Sequence, residues 1–280
     1  MKSIRSIILS CLICSAVFFS CGTDENGNVV VIPDLTHILI VSNTTTDNDW
    51  IINNFPEEMT GFEFEAWNFA DSVPTVQQLN QFDAVLLFEN GTEGPICDSV
   101  GDRMHDYVMG GGNLVLGTFY WQDRSDGGYE EVGWGDLESI DPIIANDGNA
   151  YNDDSIGTWI DHPLTRGLDT IYCEYGGGYD SLRAGATAVA WWTNGEILMA
   201  YDKPDGRIVA VTLWPAEPRQ RPGGNYAGFY RAWENAMLYA AWGGTREAKA
   251  TVAPAPLMKI RGNSSIQNIE KNRPQNGGSR

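Results

Sequence analysis

The sequence is poor in histidine, cysteine and positive charge, and it has no long apolar run. Its three histidines, His37, His105 and His162, stand far apart in the chain. They form no HExxH or related spacing, so a zinc-hydrolase signature is excluded. Five cysteines are too few for a disulfide scaffold. Lys and Arg number 18 against 37 Asp and Glu, a formal net charge of −19. Such a surface repels phosphate backbones, which makes nucleic acid a poor partner. The imbalance is local: residues 21–242 hold 9 basic against 35 acidic side chains, whereas residues 243–280 hold 7 against 2. The longest apolar-rich stretch, residues 7–19, is about 13 residues long, short of the ~20 that span a bilayer.

What is present is a core. The chain is 42% hydrophobic, with 10 Trp, 11 Tyr and 10 Phe among 280 residues, enough for one or two globular domains. Residues 1–20 have the layout of a secretory signal, with Lys2 and Arg5 ahead of the apolar run. The sequence "VFFSC" that ends at Cys21 resembles the lipobox of bacterial lipoproteins, with Phe18 in place of the usual leucine. That resemblance implies cleavage before Cys21, lipidation of Cys21, and attachment through the lipid to the membrane of a Gram-negative cell envelope. Asp24 and Glu25 are similar to the acidic export signals of Bacteroidetes surface lipoproteins. On this reading residues 21–35 are a tether, residues 36–242 the folded domain, and residues 243–280 a flexible basic tail. Cys97 and Cys173 then remain in the body, either paired or as two separate thiols.

From residue 36 onward strand and helix patterns alternate. "THILIVS" (36–42), "FEFEAW" (62–67), "DAVLLFEN" (83–90) and "NLVLGTF" (113–119) read as strands. Helical spacing covers 48–55, 73–82 and 95–112. Strands apolar on both faces and separated by helices predict a mainly parallel sheet covered on both sides, an α/β fold. Residues 120–160 break the rhythm and read as a long irregular segment. "TAVAWW" (187–192), "EILMAY" (196–201) and "RIVAVTLW" (207–214) are joined by the short turns "TNG" and "DKPDG", and predict an antiparallel hairpin extension. An amphipathic helix over 225–243 closes the domain.

The stretch "LNQFDAVLLFEN…VGDRMHDYVMGGGNLVLGTF", with "DHPLTRGL" (161–168) and "GEILMAYDKPDGRIVAVTLWP" downstream, resembles class I glutamine-amidotransferase-like domains. The likeness is greatest to the branch holding ThuA-like proteins and the trimerisation domain of some β-galactosidases, and it covers roughly residues 36–242. It implies a flavodoxin-like sheet. Active amidotransferases place a cysteine on a sharp turn after the strand corresponding to 113–118, and a histidine after the last strand. Here the turn reads Thr118, Phe119, Tyr120, and Trp214 stands where the histidine falls. The resemblance thus implies a domain without the covalent route, for which no catalytic residue is assigned. Cys97 opens a predicted helix, where a thiolate is favoured. It follows a different strand and has no histidine near it in sequence.

Strand ends at the carboxyl edge of a parallel sheet form the usual ligand crevice. On that ground Glu89, Trp121, Asp123, Trp214 and Glu217 are candidate ligand-binding residues. Aromatic faces beside carboxylates and amides suit sugar rings. Loop packing is the competing explanation for the aromatics of residues 120–160. The expected role is binding or assembly at the envelope, with a glycan or another envelope protein as partner. A hydrolase using Glu89 with Asp123 or Glu217, and a ligand-free scaffold, are the alternatives. No cofactor is expected. Oxygen-rich stretches at 24–28, 47–49 and 151–155 offer calcium ligands without the spacing of a calcium loop.

Overall fold

Alternate residues along the central strands belong to two different cores, and this organises the whole molecule. Ile38 and Ile40 of β3 (Thr36–Ser42), with Leu86 of β5 (Ala84–Leu87) and Val115 of β6 (Asn113–Gly117), join one core. Helices α1 (Thr45–Glu58) and α4 (Ala227–Trp242) cover it through Ile51, Phe55, Trp233 and Met237. Their neighbours Leu39, Val41, Val85, Leu87, Leu114 and Leu116 face the other way. They meet the short helix α2 (Val76–Leu79) and α3 (Ile96–Met109) through Leu79, Val100, Met104 and Val108. A sheet apolar on both faces and clad on both sides is what the sequence pattern requires.

The computed structural model describes residues 19–91, 96–126, 133–144, 152–176, 181–216 and 227–246. All lie in one compact unit, Met1–Ala248. Its main sheet has nine strands in the order β4-β3-β5-β6-β13-β12-β11-β8-β9. The half built from β4 (Phe62–Asn68), β3, β5, β6 and β13 (Arg207–Val211) is parallel. β12 (Ile197–Asp202), β11 (Thr187–Trp192), β8 (Asn152–Trp159) and β9 (Tyr172–Gly176) extend it in antiparallel fashion. The expected α/β class, parallel sheet and hairpin extension are present. β7 (Ile143–Ile144) and β10 (Ser181–Leu182) form a separate two-stranded ribbon.

The stretch expected to be a tether is instead structured. β1 (Phe19–Thr23) pairs with β2 (Val29–Pro33) and with β14 (Thr245–Arg246) in a three-stranded sheet. Cys21 sits mid-strand opposite Val31, and cleavage before it would remove Phe19 and Ser20 from their pairing with Pro33 and Ile32. The signal reading of residues 1–18 and the remainder of the basic tail lie outside the described residues. Gly243 ends α4 with φ +74° and donates its N–H to Tyr239 O, the usual helix stop.

The described side chains after β6, from Tyr120 to Ile143, join the α3-side core. Trp121 and Trp134 are fully buried, and Trp134 stacks on Tyr120 at 5.0 Å while its Nε1 donates to Tyr120 O. This segment lies flat on α3 at Gly101, where a Cβ would come within 1.8 Å of Trp134 O.

Candidate functional site at the carboxyl edge

The parallel strands reverse their order of addition between β3 and β5, so the loops after these two strands diverge and leave a crevice. Asn43 follows β3 and Asn90 follows β5. They clasp each other across the crevice: Asn90 N–H donates to Asn43 Oδ1 (2.8 Å) and Asn43 Nδ2 to Asn90 O (3.1 Å). Asn90 Nδ2 also donates to Asp47 Oδ2 (2.8 Å) in the first turn of α1.

The next strand ends follow on. Phe119 N–H donates to Glu89 O (3.0 Å), and Thr118 N–H to Leu213 O (3.2 Å). These bonds carry the parallel ladder past β6, and the Thr118–Phe119 peptide is cis. The Thr118–Phe119 turn therefore lies between the ends of β5 and β13. Two aromatic rings occupy its outer side. Phe119 and Trp214 have ring centroids 5.1 Å apart at a 40° tilt, and Phe88 meets Trp214 edge-on at 5.3 Å. Phe119 and Trp214 are half-buried and Asn90 is exposed, so this face is open to solvent.

The five residues proposed from strand ends separate into two groups. Glu89, Trp121 and Asp123 are 0% exposed. Trp214 stands at the surface, and Glu217 lies outside the described residues. The expected acidic, aromatic surface is thus corrected: its two described carboxylates point inward. They do so because Glu89 continues the row Val85, Leu87 on the α3 face. Neither carboxylate is accessible to a sugar ring, as a two-carboxylate hydrolase requires.

Glu89 and Asp123 meet a third group there, which sequence reading set aside. Cys97, in the first turn of α3, brings its thiol 3.6 Å from Asp123 Oδ2. One ligand atom from each of Glu89, Cys97 and Asp123 lies within 4.8 Å of the others, and all three side chains are buried. Cys97 forms no disulfide. A faint signal existed: Cys97 opens the helix that follows the strand ending near Glu89. No spacing could link it to Asp123, which follows the next strand.

Beside this group a second buried network holds the 120–143 segment. Arg124 clamps Asp141 through Nε to Oδ2 (2.8 Å) and Nη2 to Oδ1 (3.2 Å), and Tyr120 Oη donates to Asp141 Oδ2 (2.9 Å). Burial raises the Asp141 carboxyl to about 6, against the pull of Arg124 and the Tyr120 hydrogen bond. At neutral pH the pair is ionic.

The comparisons with known proteins fit this geometry. No protein-family model and no curated protein sequence matches the chain. Solved structures do. A Salmonella typhimurium protein described as cytoplasmic matches with a TM-score of 0.57 at 14% identity, over 74% of this chain and 99% of that one. A ThuA-like protein from Parabacteroides merdae matches at 0.50 and 15% identity, over 76% and 92%. A glutamine amidotransferase from Thermotoga maritima matches at 0.50 and 9% identity, over 74% and 97%.

The fold is that of the glutamine-amidotransferase-like and ThuA-like proteins.

The envelope localisation expected from residues 1–21 conflicts with the comparison, in which the Salmonella neighbour is described as cytoplasmic. Among the described residues no helix is long and apolar enough to cross a membrane.

Proposed function

We propose that the chain is a binding protein on an amidotransferase-like fold, and that its ligand is a polar ring compound of the carbohydrate class held at the carboxyl edge. The observation that carries this reading is the Phe119–Trp214 pair. Two half-buried rings stand just after the ends of β6 and β13, where the sequence resemblance implies the amidotransferase thiol and imidazole. Partly exposed aromatic rings beside an amide group suit the apolar face and hydroxyl rim of a sugar. Asn90, one residue beyond the Glu89 carbonyl that accepts from Phe119, supplies such an amide.

A glycan array probed with the full chain, run alongside an assay of ammonia release from glutamine, tests the reading. Binding to a defined subset of saccharides without ammonia release supports it. Ammonia release with no glycan bound overturns it.

A further inference from the structure

We propose that Glu89, Cys97 and Asp123 form a buried binding site for a divalent cation of the zinc class. The three donors come from different elements: the loop after β5, the first turn of α3, and the segment after β6. The fold alone brings them together. Two carboxylates and a thiol buried together bring three ionisable donors to one point. A dication bound to both carboxylates and to the thiolate matches that donor set. The donor chemistry selects the ion. A thiolate disfavours calcium and magnesium, which take oxygen ligands, and suits zinc or its analogue cobalt(II). The spacing also suits it. Tetrahedral zinc with a sulfur at ~2.3 Å and an oxygen at ~2.0 Å holds them ~3.5 Å apart; Cys97 Sγ and Asp123 Oδ2 are 3.6 Å apart.

A second, independent feature points to the same place. Thr118 is 0% exposed, and its Oγ1 has no hydrogen-bond partner. β5 and β6 pair Val85 with Leu114 and Leu87 with Leu116, so the next residue on this face beside Glu89 is Thr118. Leu114 and Leu116 face α3, whereas a Cβ on Gly117 would face Phe88 and Trp233. The Thr118 side chain therefore continues the α3-facing row. A buried hydroxyl with no hydrogen-bond partner, on the residue that continues the β5–β6 register beside Glu89, fits the fourth position of a tetrahedral ion, as a ligand or by holding a bound water. This site is separate from the Phe119–Trp214 face and does not depend on the proposed ligand.

The test uses the full chain in a Cys21→Ser background, expressed in medium supplemented with zinc or with cobalt. A buried site fills as the chain folds. Expected are one equivalent of bound metal by elemental analysis, a near-ultraviolet thiolate-to-cobalt charge-transfer band, and a lower Tm after chelation. Cys97→Ser should abolish the charge-transfer band, and Glu89→Gln should lower bound metal at least several-fold. Far-ultraviolet circular dichroism identifies any variant that fails to fold. X-ray absorption of the zinc-loaded parent reports its ligands without any variant at site positions. One sulfur with oxygen neighbours supports the assignment. Less than a tenth of an equivalent of metal in the parent, or a sulfur-free metal shell, overturns it and leaves a thiol–carboxylate hydrogen-bonded cluster.

Discussion

Phe119 and Trp214 follow strands β6 and β13, almost a hundred residues apart in the chain, and their rings meet at 5.1 Å at the carboxyl edge of the sheet. The resemblance to active amidotransferases implies a thiol and an imidazole after these two strands; here two hydrophobic rings meet there.

Replacing the missing thiol alone should therefore restore nothing. Thr118→Cys puts a sulfur on the α3-facing, buried side of the strand, without an imidazole and without access to glutamine. The expected outcome is a folded variant that releases no ammonia from glutamine above background in a coupled assay. Turnover by this single variant would mean that Trp214 does not mark a lost base.

Asp141 anchors the 120–143 segment. Its side chain is 0% exposed and Arg124 is 7% exposed. Asp141→Asn leaves the buried guanidinium with only the partly exposed Asp126 as counter-charge, a defect of up to about 3–5 kcal/mol. Urea denaturation should show a loss of that order. The double variant Arg124→Met/Asp141→Leu removes both charges and should recover much of it.

His162 gives a pH dependence with a definite sign. It stacks on Tyr201 at 4.9 Å, meets Tyr239 edge-on at 5.0 Å, and its Nδ1 accepts from Leu164 N–H. Burial lowers its pKa from 6.5 to about 4; Glu25 and Asp161 oppose the shift, while Lys203 and Arg166 add to it. The unfolded chain then binds the proton more readily, so the stability His162 contributes is full above pH 6.5 and is lost as pH falls toward 4. His162→Asn keeps a cap acceptor but does not titrate. Chemical denaturation across this window should give a shallower fall for the variant than for the parent.

The sequence revealed the layers because the parallel strands must be apolar on both faces, and β3, β5 and β6 are. It revealed β11, β12 and β13 because short polar turns separate them. It hid β8 and β9, whose "NDDSIGTW" and "YCEYG" lack an apolar run. They lie at the far end of the sheet, where burial asks less of side chains. The polar stretch 22–28 suggested a tether, yet Asp24 accepts from Asn26 N–H and Asn28 N–H and forms the turn of the β1–β2 hairpin. Trp214 could be located from its strand end. The inward turn of Glu89 and Asp123 could not, because it depends on which face of the sheet α3 covers. The approach of Cys97 depends on the packing of two elements distant in sequence.

The most direct measurement is a calorimetric titration of the chain with the saccharide it binds best, in parallel with Trp214→Ala and Phe119→Ala. Saturable binding by the parent, weakened at least ten-fold in both folded variants, is the predicted result. Equal affinity in all three proteins, or no saccharide bound by the parent, contradicts a ligand site at the carboxyl edge.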